Sequence, residues 1–119
     1  MAETSLEVLK GTLGVLILKA LSWGPAHGYN VARWIRQVTN GDLQIEEGAL
    51  YPAMHRLERK GRIEAEWGLS ENNRRAKFYR LTELGRRELH AEASSWGRFA
   101  RAMNRVLNTT ERPGWARPS

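Results

Sequence analysis

The chain has 119 residues, of which 41% are hydrophobic and 27% charged, and it contains no cysteine. This supports one ordinary folded domain with at most one appended element, and it excludes disulfides, thiolate chemistry and Cys-based zinc sites. The net charge of +6 favours an anionic partner, either nucleic acid or a membrane surface.

The N-terminus, MAETSLEVLK, has no basic region followed by an apolar run, so no signal peptide is expected. The longest apolar stretch, Val15 to Leu18, is too short to span a bilayer, and a cytoplasmic protein without membrane contact is expected. Thr4 and Glu7 form a capping box that predicts a helix over residues 5–21. Its buried candidates are Leu6, Leu9, Leu13, Leu16, Ile17, Ala20 and Leu21, with Gly11 and Gly14 allowing close helix packing. Ser22-Trp23-Gly24-Pro25 ends it. A second helix is predicted over residues 28–38, with Val31, Trp34, Ile35 and Val38 as its apolar face and Asn40-Gly41 as its stop. Leu43 and Ile45 form a short extended link.

The third helix is expected to begin near Gly48, which puts Pro52 at the end of the first turn, where a missing N–H costs little. Leu50, Ala53, Met54 and Leu57 share one face; Tyr51, His55, Glu58 and Arg59 share the other, with Arg56 beside them. Gly61 stops this helix. Ile63, Ala65 and Trp67 then alternate with Glu64 and Glu66 as in a strand, residues 70–75 form a polar turn, and residues 77–81 form a second strand. Trp23, Trp34 and Trp67 read as core or edge packing residues. Thr82 caps a last helix over residues 82–108, about 40 Å long and too long for so small a domain to cover. The tail, residues 109–119, carries two prolines and frays.

On the last helix, Leu89, Ala93, Trp96, Ala100, Met103 and Leu107 are spaced alternately four and three apart, a heptad seam flanked by Phe99 and Val106. A second copy of the chain would fill that seam; folding back onto the first helix is the other use open to it. The three histidines, His27, His55 and His90, lack metal-binding spacing, and there is no nucleophile triad or phosphate-cradling glycine motif. Neither an enzyme nor a cofactor nor a metal is expected.

An amphipathic helix followed by a hairpin with a basic tip is the sequence form of a winged helix-turn-helix. The predicted class is mainly α with a small β-hairpin, and double-stranded DNA is the leading partner. The candidate DNA-contacting residues are Tyr51, His55, Arg56 and Arg59 on the helix and Asn73, Arg74, Arg75 and Lys77 on the hairpin. A rival reading is a membrane-surface or protein-partner module that uses Arg98, Arg101 and Arg105 of the last helix.

Over residues 6–107 the chain resembles the PadR family of bacterial transcriptional regulators. The resemblance rests on LKGTLGVLILKAL, HGYNVARWI, EEGALYPAMHRLERKGRIEAEW, RRAKFYRLTELGRREL and Trp96. The single C-terminal helix resembles the smaller subfamily. The resemblance implies a homodimeric DNA-binding protein, usually a repressor. Its third helix enters the major groove, and its first and last helices form the dimer. Residues 1–81 would then be the DNA-binding domain and residues 82–108 the dimerisation helix. Some members take aromatic or cationic drugs on a tryptophan at the position of Trp96, which implies a ligand site walled by Val8, Gly14, Val15 and Lys19. The small residues Ala93 and Ala100 on either side of Trp96 leave space for a planar effector, with Lys19 and Arg101 favouring a phenolic or carboxylate one. Ala49 departs from the Ser or Thr that many relatives carry before LYP, which removes a hydroxyl contact to DNA.

Overall fold

A computed structural model describes residues 12–117. The expected capping box of Thr4 and Glu7, the core candidates Leu6 and Leu9, and Val8 and Gly11 lie outside the described residues. Among the described residues, four helices and a small antiparallel sheet follow one another as α1 (Leu13–Leu21), β1 (Ala26–His27), α2 (Gly28–Val38), α3 (Glu47–Arg59), β2 (Ile63–Leu69), β3 (Arg75–Leu81) and α4 (Glu83–Asn108).

The core is built by α1, α2 and α3 against the inner face of the sheet. Ile17, Leu18, Val31, Ile35, Leu50, Met54 and Ile63 are its largest fully buried side chains. Leu16, Trp34, Leu43, Ile45 and Leu89 pack against it from the margin. Val38, expected on the apolar face of α2, is exposed instead, because the helix ends there and turns away at Asn40 and Gly41. Both residues have positive φ, and Gly41 N–H reaches back to the Arg36 carbonyl at 2.8 Å, closing the helix end. Gly61 does the same for α3: its φ is +74°, and the N–H of the next residue, Arg62, bonds the Leu57 carbonyl at 2.9 Å.

Helix α3 begins at Glu47, one residue before the expected start, with Glu46 as its cap residue. Pro52 therefore lies beyond the first turn. It has no N–H to offer the carbonyl of Gly48, but both residues face solvent, where water satisfies that group.

The sheet has three strands in the order β1-β3-β2. The hairpin was expected; β1 was not. Ala26 pairs with Tyr79 and His27 with Phe78, a strand of two residues that is too short to show any periodicity. In the hairpin, Ile63 pairs with Leu81, Ala65 with Tyr79, Trp67 with Lys77 and Leu69 with Arg75, all on the inner face. Glu64 and Arg80 pair on the outer face.

Thr82 caps α4 as expected, its hydroxyl accepting from Gly85 N–H at 3.0 Å and donating to the Gly61 carbonyl. Gly85 is required by close approach: a Cβ there would sit 2.0 Å from the carbonyl oxygen of Arg62. The Arg62 side chain in turn bonds Glu88 at 3.2 Å and lies 3.6 Å from Glu92, tying the first turns of α4 to the domain. From Arg101 to its end the helix is exposed, and the molecule measures 64 × 29 × 21 Å. Among the described residues, no helix is long and apolar enough to cross a membrane.

Candidate nucleic-acid interface

Two walls face each other across an open cleft of about 720 Å³. One is formed by the N-terminus of α2 and the polar face of α3, the other by the hairpin.

On the first wall, His27 is the cap residue of α2. Its Nδ1 accepts from Asn30 N–H at 3.3 Å, while its ring stacks on Tyr29 and meets Phe78 edge-on. Gly28 follows because the Tyr51 ring lies directly over it: a Cβ would come within 2.7 Å of that ring. Tyr51 is thus wedged between α2 and α3 and half-buried. Burial, with smaller contributions from the Glu47 carboxylate and from Tyr79, pushes its phenol pKa above the usual value. His55 stands one turn further along α3 and is exposed.

The hairpin turn is closed by Ser70. Its N–H donates to the Arg74 carbonyl at 2.8 Å, its carbonyl accepts from Asn73 N–H, and its hydroxyl accepts from Arg74 N–H. Asn73 adopts a positive φ of +60° at the tip, a conformation asparagine tolerates well. On the inner face, the Arg75 guanidinium lies 4.4 Å from the centre of the Trp67 ring. Lys77 Nζ lies over the Tyr79 ring and 3.9 Å from Glu58. On the outer face, Arg80 donates to Glu64 at 3.0 Å, and that carboxylate raises the guanidinium pKa further.

The cleft brings together Tyr51, His55, Arg74, Arg75 and Lys77 of the residues selected from sequence. Arg56 and Arg59 are exposed on α3 but do not line it, and Asn73 stands outside it at the hairpin tip. Tyr29, Asn30 and Arg33 of α2 line it although sequence reading passed over them. The available signal was that Tyr29 and Arg33 sit one turn apart on the polar side of an otherwise apolar-faced helix.

A second hollow, of about 400 Å³, lies between α1 and α4 and is lined by Thr12, Val15, Glu92, Ser95, Trp96 and Phe99. The Trp96 and Phe99 rings are 5.4 Å apart. Of the walls implied by the family resemblance, Val15 lines it. Gly14 instead faces Leu57, where a Cβ would make an ordinary 3.7 Å contact, so close packing does not depend on that glycine. Lys19 points elsewhere, over the ring of Trp23, and Arg101 borders a different surface. Trp23 and Trp67 are not core residues: they are 73% and 58% exposed, and each carries a cation on its ring. Along the seam Leu89 packs on the chain's own core, Ala100 is partly covered, and Ala93, Trp96, Met103 and Leu107 are open to solvent.

A family model described as the transcriptional regulator PadR-like family matches residues 17–91. An uncharacterised protein X from Lysinibacillus sphaericus is 33% identical over 90 residues, 76% of this chain and 83% of that one. A transcriptional regulator from Clostridium thermocellum superposes with a TM-score of 0.78 at 29% identity, covering 86% of this chain and 96% of the other. A PadR family transcriptional regulator from Eggerthella lenta does so with a TM-score of 0.73 at 31% identity, covering 91% and 92%.

Proposed function

The chain belongs to the PadR-like family of transcriptional regulators, and from that premise we propose that it is a cytoplasmic repressor that binds duplex DNA through α3 and the hairpin. One observation carries this reading: among the described residues, neither Arg74 nor Arg75 has a carboxylate partner, so the hairpin wall of the cleft is positive and faces the polar side of α3. In this reading Tyr51, His55, Arg56 and Arg59 meet the major groove or its rims. Asn73, Arg74, Arg75 and Lys77 meet phosphate on one flank and Arg33 meets it on the other. Phosphate contacts of this kind supply most of the affinity and its salt dependence. Nuclease footprinting on the DNA upstream of the protein's own gene tests it. Protection of a near-palindromic site is expected; no protection, together with no retardation of any duplex at low salt, would overturn it.

The rest of the proposal concerns α4. The seam from Ala93 to Leu107 meets its copy across a two-fold axis, which sets two recognition helices about 34 Å apart, one turn of DNA. Its support is the exposure of Met103, Val106 and Leu107 on the distal part of that helix. Sedimentation at micromolar concentration giving only the 13.6 kDa monomer would remove the dimer. The Trp96 hollow takes a planar aromatic effector by stacking, and occupancy shifts the angle between protomers and so releases DNA. Its support is the adjacent open rings of Trp96 and Phe99 beside Val15. Fluorescence titration with planar dyes on the wild type and on Trp96→Ala separates a ligand site from an interface filler, since only the former loses its quenching in the variant.

A further inference from the structure

The inner face of the hairpin holds its cations in two different ways, and this difference assigns a role to Trp67. A carboxylate that holds an arginine in place also neutralises it; Arg80 with Glu64 on the outer face is that case, and Lys77 with Glu58 is a looser instance. Arg75 is held differently. Among the described residues it has no carboxylate partner, and its guanidinium lies 4.4 Å from the centre of the Trp67 indole.

The strand register makes this contact. Leu69 is directly opposite Arg75, so Trp67, two residues back on the same face, is its diagonal neighbour, within reach of two long side chains. Trp67 is 58% exposed, so it is not there to fill the core. An indole face orients a guanidinium without cancelling its charge, and it leaves the N–H groups at the guanidinium edge free to donate. An unsupported arginine at a hairpin tip samples many rotamers and must be ordered when it binds.

We propose that Trp67 is the positioning residue for Arg75: it holds the guanidinium, charge intact, in the orientation that meets a DNA phosphate beside the cleft. This rests on the DNA-binding reading above, and it adds that an uncharged residue which does not line the cleft sets part of the affinity. The contribution is independent of DNA sequence, because it acts through a phosphate contact.

The experiment is a double-mutant cycle on the full chain, read by fluorescence anisotropy with a short fluorescein-labelled duplex of arbitrary sequence over a series of salt concentrations. Trp67→Leu keeps the apolar bulk and removes the ring face. It should weaken binding about two- to five-fold, the size of a ring–cation attraction at an exposed site. The slope of affinity against salt should not change, since the phosphate contact remains. Trp67→Phe should recover part of the loss. Arg75→Ala should lower the slope by about one unit, and Trp67→Leu added to it should have no further effect. A steady thermal midpoint across the variants excludes a folding defect; should Trp67→Leu lower it, the comparison of Trp67→Phe with wild type carries the test. Equal losses from Trp67→Leu with and without Arg75 would overturn the assignment while leaving DNA binding intact. Wild-type affinity in Arg75→Ala would take away the phosphate contact itself, and the positioning role with it.

Discussion

Helix α3 has 13 residues and buries four of them, Leu50, Ala53, Met54 and Leu57; α4 has 26 and buries one, Gly85. Both helices are amphipathic, so the difference is not one of pattern. It lies in what each apolar face meets. The face of α3 closes onto α1, α2 and the sheet. Among the described residues, the first half of α4 meets the domain, through Gly85, Leu89, the Arg62 ion pairs and the hollow shared with α1. Past Trp96 its large apolar residues, Phe99, Met103, Val106 and Leu107, are exposed. That stripe, with its even heptad spacing, is what the proposed pairing with a second copy would use.

Met54 and Met103 give the sharpest test of that contrast, being the same side chain at 0% and 43% exposure. Met54→Ala should cost about 2–5 kcal/mol in denaturant unfolding. In dilute protein Met103→Ala should cost no more than about 0.5 kcal/mol. It should instead flatten the rise of the unfolding midpoint with protein concentration that a dimer produces. Equal losses in dilute protein would dissolve the distinction. Next in size is Gly85→Ala, which drives a methyl into the Arg62 backbone. It should cost about 1–3 kcal/mol, whereas the same change at Gly97, inside α4 where a Cβ meets only the movable end of Arg101, should stabilise by about 0.5–1 kcal/mol.

Thr82→Ala removes both the cap to Gly85 and the hydroxyl bond to Gly61, and a loss of about 1 kcal/mol is expected. Amide exchange should then speed up in the first turn of α4 and not in its distal half. The smallest effect belongs to Tyr51. Its phenol pKa is raised in the folded state, so the native protein keeps a proton that the unfolded chain releases near pH 10.0. This contribution is fully present below pH 10.0 and fades as the pH climbs through the folded value. Tyr51→Phe should therefore lose less stability than wild type between neutral pH and pH 11, measured by urea midpoints; parallel curves would count against the wedged phenol.

Much of this was legible along the chain. The Schellman ends at Asn40-Gly41 and Gly61, the cap at Thr82 and the buried set of α3 all depend on residues within a few positions of one another, and all were read correctly. The expectations that failed concern packing between distant segments. Trp23 and Trp67 read as core or edge packing residues; they are not in the core but stand exposed beneath Lys19 and Arg75. Val38 has the right spacing for a core face but falls where the chain turns away.

Over the described residues, the sequence by itself therefore determined the helices, the hairpin and the stops between them, because periodicity, capping and glycine conformation act over a single turn or strand pair. Only the tertiary structure decided that Ala26 and His27 form a third strand, that Tyr29, Asn30 and Arg33 share a cleft with the hairpin, that Gly28 makes room for Tyr51, and that Trp67 lies under Arg75. Each of these joins residues on different elements, where the outcome depends on which faces come together and how closely, a property of the packed whole that local pattern does not carry.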